Sequence, residues 1–235
     1  MPSPRARAPG LSPTPGNSGP PLPRQEPDPA GLRSSLRAQP LLAVLRPSSL
    51  ERGLRQVEPL AAVGWQHLEL AWTVPFAGEL ALALQHRHPR LRLGAASVTN
   101  ASQLDAVARL GLTYVFLPIL DEDLLRRGRR SGLTVVPGVF SPTEVHQARR
   151  LGCGMVKLFP AASLGPSHWQ RLHGPLGGLP FVVAAGGLAM DDVIPWRRQG
   201  IDAVALGQRL FDELEVCRPD VAEARLLALL ANCCP

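Results

Sequence analysis

The sequence predicts a single-domain α/β protein, a (β/α)8 barrel of the TIM type preceded by an N-terminal extension. From position 41 onward, eight short apolar runs typical of strands begin about 20 to 26 residues apart, and helical patterns fill the intervals. The first run ends in Leu45-Arg46-Pro47-Ser48, which is not the glycine-rich phosphate turn that an open doubly wound sheet needs there. A closed barrel also leaves no edge strand exposed. These observations favour the barrel over the open sheet.

The N-terminal extension differs in composition from the rest of the chain. Residues 1–40 hold 11 of the 25 prolines and five arginines against two acidic residues. They show no apolar periodicity and no apolar central run of a secretory signal, and a disordered extension is favoured over an organelle transit peptide. We therefore expect a disordered Pro/Arg-rich leader over residues 1–36 and the barrel domain over residues 37–235.

The strand-like runs are predicted from their apolar, β-branched composition and their length. In chain order they are Leu41–Arg46, His67–Ala71, Leu91–Ser97, Tyr114–Pro118, Thr134–Val139, Met155–Pro160, Phe181–Gly186 and Ala203–Gly207. The helices are predicted from apolar spacing and from capping residues such as Asn100, Asp121 and the Ser141/Glu144 capping box. They are Leu50–Val63, Pro75–His86, Ser102–Leu110, Glu122–Arg130 and Pro142–Leu151.

Composition excludes several classes of protein. The hydrophobic fraction of 45% allows a sizeable core, and no run reaches ~18 apolar residues, so neither a membrane span nor a membrane partner is expected. Half of the net charge of +6 lies in the first 40 residues, so nothing requires a nucleic-acid partner. The four cysteines form no C-x-x-C pair, which favours a reducing, cytoplasmic location. The six histidines form no ligand set, so no metal is expected.

Two charged residues lie inside predicted strands. Lys157 is the only lysine beside 24 arginines, and strand alternation turns it and Glu69 inward. A charge inside a barrel costs several kcal/mol unless it is paired or neutralised. One interpretation is a structural ion pair. The favoured one is catalytic: desolvated lysine becomes a nucleophile for a carbonyl, while a neighbouring carboxylate moves protons.

Three further features lie at the carboxyl ends of the strands, where barrels carry their sites. Arg46 ends the first strand and suits a carboxylate or phosphate clamp. Gly186 and Gly187 end the seventh strand, and Gly207 ends the eighth. The loops after these two strands commonly bind phosphate through backbone N–H groups.

At these residues the chain resembles the 2-keto-3-deoxy-6-phosphogluconate (KDPG) aldolases, whose members are often described as 4-hydroxy-2-oxoglutarate aldolases as well. The likeness runs from about Leu41 to Phe211. Its strongest segments are Val44–Arg46, Leu68–Pro75, Leu93–Val98, Val136–Val139, Val156–Pro160 and Ala185–Gly187. The resemblance implies a class I lyase that is cytosolic, forms homotrimers and uses no metal or cofactor.

The resemblance also implies a role for each matching residue. Lys157 would form the Schiff base and Glu69 would shuttle protons. The remaining implied contacts are Arg46, Thr73 and Ser97 for the substrate carboxylate, Pro118 and Phe159 for the pocket, and Gly186, Gly187 and Gly207 for phosphate. The implied reaction cleaves KDPG to pyruvate and glyceraldehyde 3-phosphate. Two alternatives stay open: an unphosphorylated substrate such as 4-hydroxy-2-oxoglutarate, and a non-catalytic barrel that binds a phosphate ligand.

The chain departs from the family pattern mainly at the phosphate end. Ala96 and Ser97 stand where Gly-Thr is usual, and Ala185 stands where the family has threonine before the two glycines. Gln208 replaces the usual serine after Gly207. We expect the adjacent Arg209 to supply a phosphate contact, because a guanidinium makes stronger hydrogen bonds to anions than the lost hydroxyls.

Overall fold

The structure, a computed structural model, describes residues 31–233 and contains a barrel of parallel strands. The strands are β1 Leu41–Leu45, β2 His67–Ala71, β3 Arg92–Ala96, β4 Tyr114–Phe116, β5 Thr134–Val136, β6 Gly138–Val139, β7 Met155–Leu158, β8 Phe181–Ala185 and β9 Ala203–Leu206. Their order in the sheet is β5-β4-β3-β2-β1-β9-β8-β7-β6. The predicted (β/α)8 barrel is confirmed, and every predicted strand is present.

The fifth predicted strand, 134–139, is divided into β5 and β6 at Pro137. β5 pairs with β4, whereas β6 pairs with β7. Pro137 has no N–H to donate, but its carbonyl accepts a hydrogen bond from the backbone N–H of Lys157 (2.8 Å). The two halves thus form one bent strand that joins the two ends of the sheet and brings the barrel almost to closure.

Apart from the first helix, which closes the amino end, the helices pack outside the barrel, and the five that were predicted are confirmed within two residues at each end. Their bounds are α1 Leu32–Ala38, α2 Leu50–Ala62, α3 Ala77–Arg87, α4 Ala101–Arg109, α5 Glu122–Arg130, α6 Pro142–Arg150, α7 His168–Arg171, α8 His173–Leu176, α9 Val193–Arg198, α10 Gln208–Glu215 and α11 Pro219–Cys233. The capping box at α6 is present, since Ser141 Oγ accepts from the Glu144 N–H and the Glu144 carboxylate accepts from the Ser141 N–H. Across residues 31–233, no helix combines the length and apolar character needed to cross a bilayer.

Strand alternation divides the core into two clusters. An outer cluster fills the space between strands and helices and includes Leu68, Leu70, Val156 and Leu158. The inner cluster lies inside the barrel and consists of Leu32, Leu36, Leu42, Tyr114, Phe116, Val136, Met155, Phe181, Val183, Ala185, Ala203 and Ala205. The inner cluster extends along the barrel, because Met155 and Phe181 begin their strands whereas Phe116, Val136 and Ala185 end theirs.

The predicted leader boundary at residue 36 is wrong. Helix α1 begins at Leu32, and the side chains of Leu32 and Leu36 are fully buried in the inner cluster. Because the two leucines are four residues apart, they lie on the same face of the helix. This face packs against the amino end of the barrel, and α1 therefore closes that end. This helix belongs to the barrel domain. The rest of the predicted leader, residues 1–30, lies outside the described residues.

Candidate active site

Lys157 and Glu69 lie inside the barrel, as their strand positions predict. Glu69 is in the middle of β2 and is 1% exposed, and Lys157 is in β7 and 5% exposed. Their sequence neighbours Leu68, Leu70 and Leu158 pack in the outer cluster, which leaves the two charged side chains facing inward. The β-strand pattern therefore brings a buried amine and a buried carboxyl into the interior of the barrel, where each affects the other electrostatically.

Burial shifts the proton affinities of both groups in the direction that acid–base chemistry needs. It raises the pKa of the Glu69 carboxyl to about 8, although the charge of Lys157 opposes the shift. It lowers the pKa of the Lys157 ammonium, an effect that Glu69 opposes and Arg46 reinforces. Near neutral pH, Glu69 is therefore able to hold a proton, and Lys157 is able to exist as the neutral, nucleophilic amine.

Neither group is satisfied by the protein in the way a structural ion pair would be. Both carboxyl oxygens of Glu69 are buried without a hydrogen-bond partner among residues 31–233. The Lys157 Nζ lies 4.7 Å from the centroid of the Phe159 ring. The face of this ring attracts a cation and is also an apolar surface against which the neutral amine packs. Such unmet hydrogen-bonding capacity is costly in a core and is typical of a site that a ligand or water completes.

Arg46, Thr73 and Ser97 meet at the mouth of the barrel. The Arg46 guanidinium donates hydrogen bonds to Thr73 Oγ1 and, at 3.1 Å, to Ser97 Oγ. These residues follow β1, β2 and β3, so their contact comes from the order of neighbouring strands. Ser97 has a φ of 61°, a left-handed conformation that is uncommon outside glycine. One guanidinium flanked by two hydroxyls suits a carboxylate.

A glycine turn follows β8 at the same end. Gly186 and Gly187 have φ angles of 97° and 82°, which favour glycine. Space also requires glycine, since a Cβ at Gly187 would lie 2.8 Å from the Ala162 Cβ, and one at Gly186 would lie 3.0 Å from the Phe159 ring. The backbone N–H groups of such a glycine turn are suited to binding a phosphate.

The two residues after Gly207 behave differently. Gln208 donates a hydrogen bond from Nε2 to Asp212 Oδ1 (2.7 Å) within α10. Arg209 is exposed and donates from Nη1 to the carbonyl oxygen of Gly187 (2.9 Å). Arg209 therefore joins the glycine turn, whereas Gln208 turns its amide toward its own helix.

The predicted pocket residues lie at the same end of the barrel. Pro118 follows β4, and its carbonyl group lies so close to Gly138 that a Cβ there would be 2.4 Å from the Pro118 carbonyl carbon. Phe159 follows β7 and contacts both Lys157 and the glycine turn. Glu69 and Lys157 thus lie within their strands, and the other residues predicted for the site lie beyond the carboxyl ends of theirs. Within residues 31–233, no group of three His, Cys, Asp or Glu side chains is placed to hold a metal ion.

Tyr114 is not among the residues that the sequence predicts for the site, although it lies on the same inner wall as Glu69. It is the only tyrosine in the chain, and it lies 1% exposed inside the barrel on β4. A phenol is uncommon in a barrel interior unless its hydroxyl is paired, so its position in a buried strand was the available signal.

Comparisons with known proteins give a matching family model, similar sequences and a similar solved structure. The family model for KDPG and KHG aldolase matches residues 32–227. The 2-dehydro-3-deoxy-6-phosphogalactonate aldolase of Escherichia coli (strain K12) is 28% identical over 173 residues, covering 73% of this chain and 84% of that protein. The 2-dehydro-3-deoxy-phosphogluconate aldolase of Dickeya dadantii (strain 3937) is 30% identical over 152 residues, 64% of this chain and 71% of that one. The native KDPGal structure has a TM-score of 0.72 and 25% identity, covering 82% of this chain and 93% of its own.

Proposed function

The chain belongs to the KDPG and KHG aldolase family and is a carbon–carbon lyase, and we propose that it cleaves KDPG to pyruvate and glyceraldehyde 3-phosphate through a Schiff base on Lys157. The observation that carries this proposal is the buried amine beside a buried carboxyl with two unpartnered oxygens. Family membership also favours an enzyme over the non-catalytic phosphate binder that the sequence left open.

The first step is attack of neutral Lys157 on the C2 ketone of the substrate. Arg46, with Thr73 and Ser97, binds the adjacent carboxylate and holds the ketone at attack distance. Protonated Glu69 then delivers its proton, through a water, to the carbinolamine hydroxyl, which leaves as water. The product is a protonated imine on Lys157, and Glu69 is left as the carboxylate.

The second step uses that carboxylate as the base. Glu69 accepts the proton of the C4 hydroxyl, the C3–C4 bond breaks, and its electron pair moves into the iminium to give an enamine. The aldehyde leaves. Protonation of the enamine at C3 and hydrolysis of the imine then release pyruvate and restore neutral Lys157. Glu69 therefore acts first as an acid and then as a base, which suits a pKa near the working pH.

For the leaving aldehyde, we propose that the Gly186–Gly187 turn, Gly207 and Arg209 bind a phosphate. The hydrogen bond from Arg209 to the Gly187 carbonyl supports this role, because it holds a guanidinium beside the turn whose N–H groups suit an anion. Ala185 and Gln208 supply no hydroxyl there, which favours keeping 4-hydroxy-2-oxoglutarate, an unphosphorylated substrate, as the second candidate. KDPG and its galactonate-derived epimer differ at a carbon between the two anionic ends, so both are to be assayed.

We further propose a cytoplasmic homotrimer. The family resemblance supports it, and so do two exposed apolar side chains, Ile119 and Phe140, on neighbouring loops at the rim. A hydrogen bond of 3.1 Å from the Gly138 N–H to the Ile119 carbonyl holds these loops together. Light scattering should give three times the chain mass of 25.2 kDa, and a monomer would contradict the proposal.

The decisive test of mechanism is chemical trapping. Pyruvate and borohydride should add a reduced pyruvyl group to the Lys157 peptide of the wild-type enzyme, as detected by mass spectrometry. Lys157→Arg should show no adduct, because a guanidinium does not form the imine at neutral pH. An adduct elsewhere, or none in a folded wild type, would contradict the Schiff-base assignment.

The substrate assignment is tested with a panel of KDPG, its galactonate-derived epimer and 4-hydroxy-2-oxoglutarate. Arg209→Ala should raise KM for the phosphorylated substrates about 10- to 100-fold, which corresponds to the loss of one hydrogen bond to a charged group. The KM for the unphosphorylated substrate should not change. Arg218→Ala is the matched control, because Arg218 is an exposed arginine paired with Asp220. Equal effects of Arg209→Ala on all substrates would exclude the phosphate role.

A further inference from the structure

The Tyr114 side chain lies along the inner wall of the barrel and extends across β3 toward β2, the strand that carries Glu69. Residues Glu69, Gly94 and Tyr114 stand in one register across the neighbouring strands β2, β3 and β4. A Cβ at Gly94 would lie 2.2 to 2.6 Å from three carbon atoms of the Tyr114 ring. Only glycine at position 94 therefore lets the ring lie across β3 toward the strand that carries Glu69.

The tyrosine hydroxyl fixes the ring in that place. Tyr114 Oη lies 3.0 Å from the carbonyl oxygen of Leu68 and 2.9 Å from that of Arg92, so its single proton is shared between two acceptors. Leu68 immediately precedes Glu69 on β2. The ring is thus attached to the backbone that positions the carboxyl group, and the hydroxyl has no capacity left to donate to Glu69.

The Tyr114 phenol is buried next to the strand that carries Glu69. Burial raises the pKa of the Tyr114 phenol well above its usual value, and the charge of Glu69 adds to the effect. The charge of Lys157 on β7 acts on Glu69, and the charge of Glu69 acts on Tyr114, while Arg46 acts on Lys157 and Arg92 acts on Tyr114. The phenol remains protonated throughout the working range and serves as a neutral wall.

We propose that Tyr114 is a positioning residue for Glu69: its ring, admitted by Gly94 and anchored on the carbonyl groups of Leu68 and Arg92, excludes bulk water from the side of the Glu69 carboxyl that faces β3 and β4, and leaves the substrate side open to the water that relays its proton. The proposal rests on the proposed function, in which Glu69 carries protons. Its physical basis is that water beside a carboxylate stabilises the charged form, whereas an aromatic face does not. Without the wall, Glu69 would give up its proton at lower pH and would become a poorer acid for loss of water from the carbinolamine.

The test compares Tyr114→Leu and Tyr114→Met, which remove the rigid ring, with Tyr114→Phe, which keeps the ring and loses only the hydroxyl. Phe181→Leu is the matched control, because it shortens an aromatic side chain of the inner cluster on β8 rather than beside Glu69. Two readouts are used: the pH profile of kcat, and the 13C NMR titration of the Glu69 carboxyl, assigned with Glu69→Gln. The NMR titration reports on Glu69 without any turnover.

We expect Tyr114→Leu and Tyr114→Met to lower the Glu69 titration midpoint by about one pH unit or more. The pH at which kcat falls because Glu69 has lost its proton should decrease by a similar amount. Tyr114→Phe should change the midpoint by less than about half a unit, and Phe181→Leu should not change it. An unchanged midpoint in either folded ring-deletion variant would overturn the proposal. Absence of a pyruvate adduct on wild-type Lys157 would instead refute the proposed function, and the NMR titration would still decide the role of Tyr114.

Discussion

Buried polar side chains inside the barrel are hydrogen-bonded near its amino end and, within the described part of the chain, lack protein partners closer to its carboxyl end. At the amino end, His67 is fully buried and has partners on both ring nitrogens: Nε2 lies 2.7 Å from Ser35 Oγ, and Nδ1 lies 3.2 Å from the Leu41 carbonyl. Toward the carboxyl end, in the middle of β2, Glu69 is equally buried, yet neither of its oxygens has a hydrogen-bond partner among residues 31–233. Both side chains point inward from the same strand, two residues apart.

This difference separates structural from chemical use of a buried polar group. A paired group contributes to stability, whereas an unpaired one costs the desolvation of its oxygens. Among the buried, unpartnered side-chain atoms in residues 31–233, the two Glu69 oxygens are the ones inside the barrel. Changes at the carboxyl end should therefore affect catalysis far more than stability, and changes at the amino end should do the reverse.

The largest effect should come from Lys157→Arg. We expect kcat to fall by more than ~10⁴-fold, toward the uncatalysed rate, because the variant retains the charge but has no nucleophilic amine. Steady-state cleavage assays measure the loss, and circular dichroism confirms the fold. Lys157→Met is the neutral companion variant, and both should be inactive. Activity near wild type in the folded Arg variant would remove the lysine from the chemistry.

Glu69→Gln should have the next largest effect. The amide keeps the size of the side chain but neither accepts nor delivers the catalytic proton, so kcat should fall about 10²- to 10⁴-fold. Adduct formation with pyruvate and borohydride should persist at a reduced rate, because Lys157 remains. The control is Glu79→Gln, a change at an exposed glutamate on α3. A kcat equal to wild type, with chemistry shown to limit the rate, would make Glu69 a structural residue.

The carboxyl end was the more predictable of the two. Alternation within a single strand was enough to turn Lys157 and Glu69 inward, because each local pattern has a period of two. The strand order then brought Arg46 together with Thr73 and Ser97. Both predictions need only patterns within single strands and the strand order of a known architecture. The role of each residue came from the resemblance to an aldolase family.

The errors and omissions concern contacts between distant parts of the chain. Leu32 and Leu36 lie in a Pro- and Arg-rich stretch, and their burial depends on the open end of a barrel built from residues far along the chain. The contact of Tyr114 with Gly94 depends on the register between two strands, which no single-strand pattern contains. The bend at Pro137 had a local signal in the proline itself.

Leu36→Ala tests the amino end directly. The leucine is fully buried, so the variant should lose about 2 to 5 kcal/mol of unfolding free energy while kcat of the folded enzyme stays at the wild-type value. Urea unfolding and steady-state assays measure the two quantities. The control is Leu82→Ala, because Leu82 is 55% exposed.

Two truncations sharpen the same point about α1. Removing residues 1–36 should lower stability at least as much as Leu36→Ala, because it deletes both leucines that close the barrel. Removing residues 1–30 should not. Equal stability of the two truncated proteins would restore the boundary that the sequence predicted.

The last prediction concerns the pH dependence of stability at the buried His67 side chain. Burial lowers the pKa of the His67 imidazole from 6.5 to about 4; the hydrogen bond with the Leu41 carbonyl opposes this shift, and the charge of Arg92 reinforces it. As pH falls from about 6.5 toward 4, the unfolded chain binds a proton at His67 while the folded protein does not. The stability that the neutral ring contributes is therefore complete above 6.5 and is lost through this window.

We expect this single group to account for about 3 kcal/mol of the unfolding free energy lost between about pH 7 and pH 4. Unfolding by urea at both pH values should show that loss in the wild type and a correspondingly smaller loss in His67→Gln, whose amide does not titrate but still donates and accepts. His146→Gln, a change at an exposed histidine on α6, should keep the wild-type dependence. Identical pH dependence in the wild type and His67→Gln would mean that the ring is protonated in the folded protein as readily as in the unfolded chain. The contrast between the two ends would then concern hydrogen bonding alone, without a difference in proton affinity at residue 67.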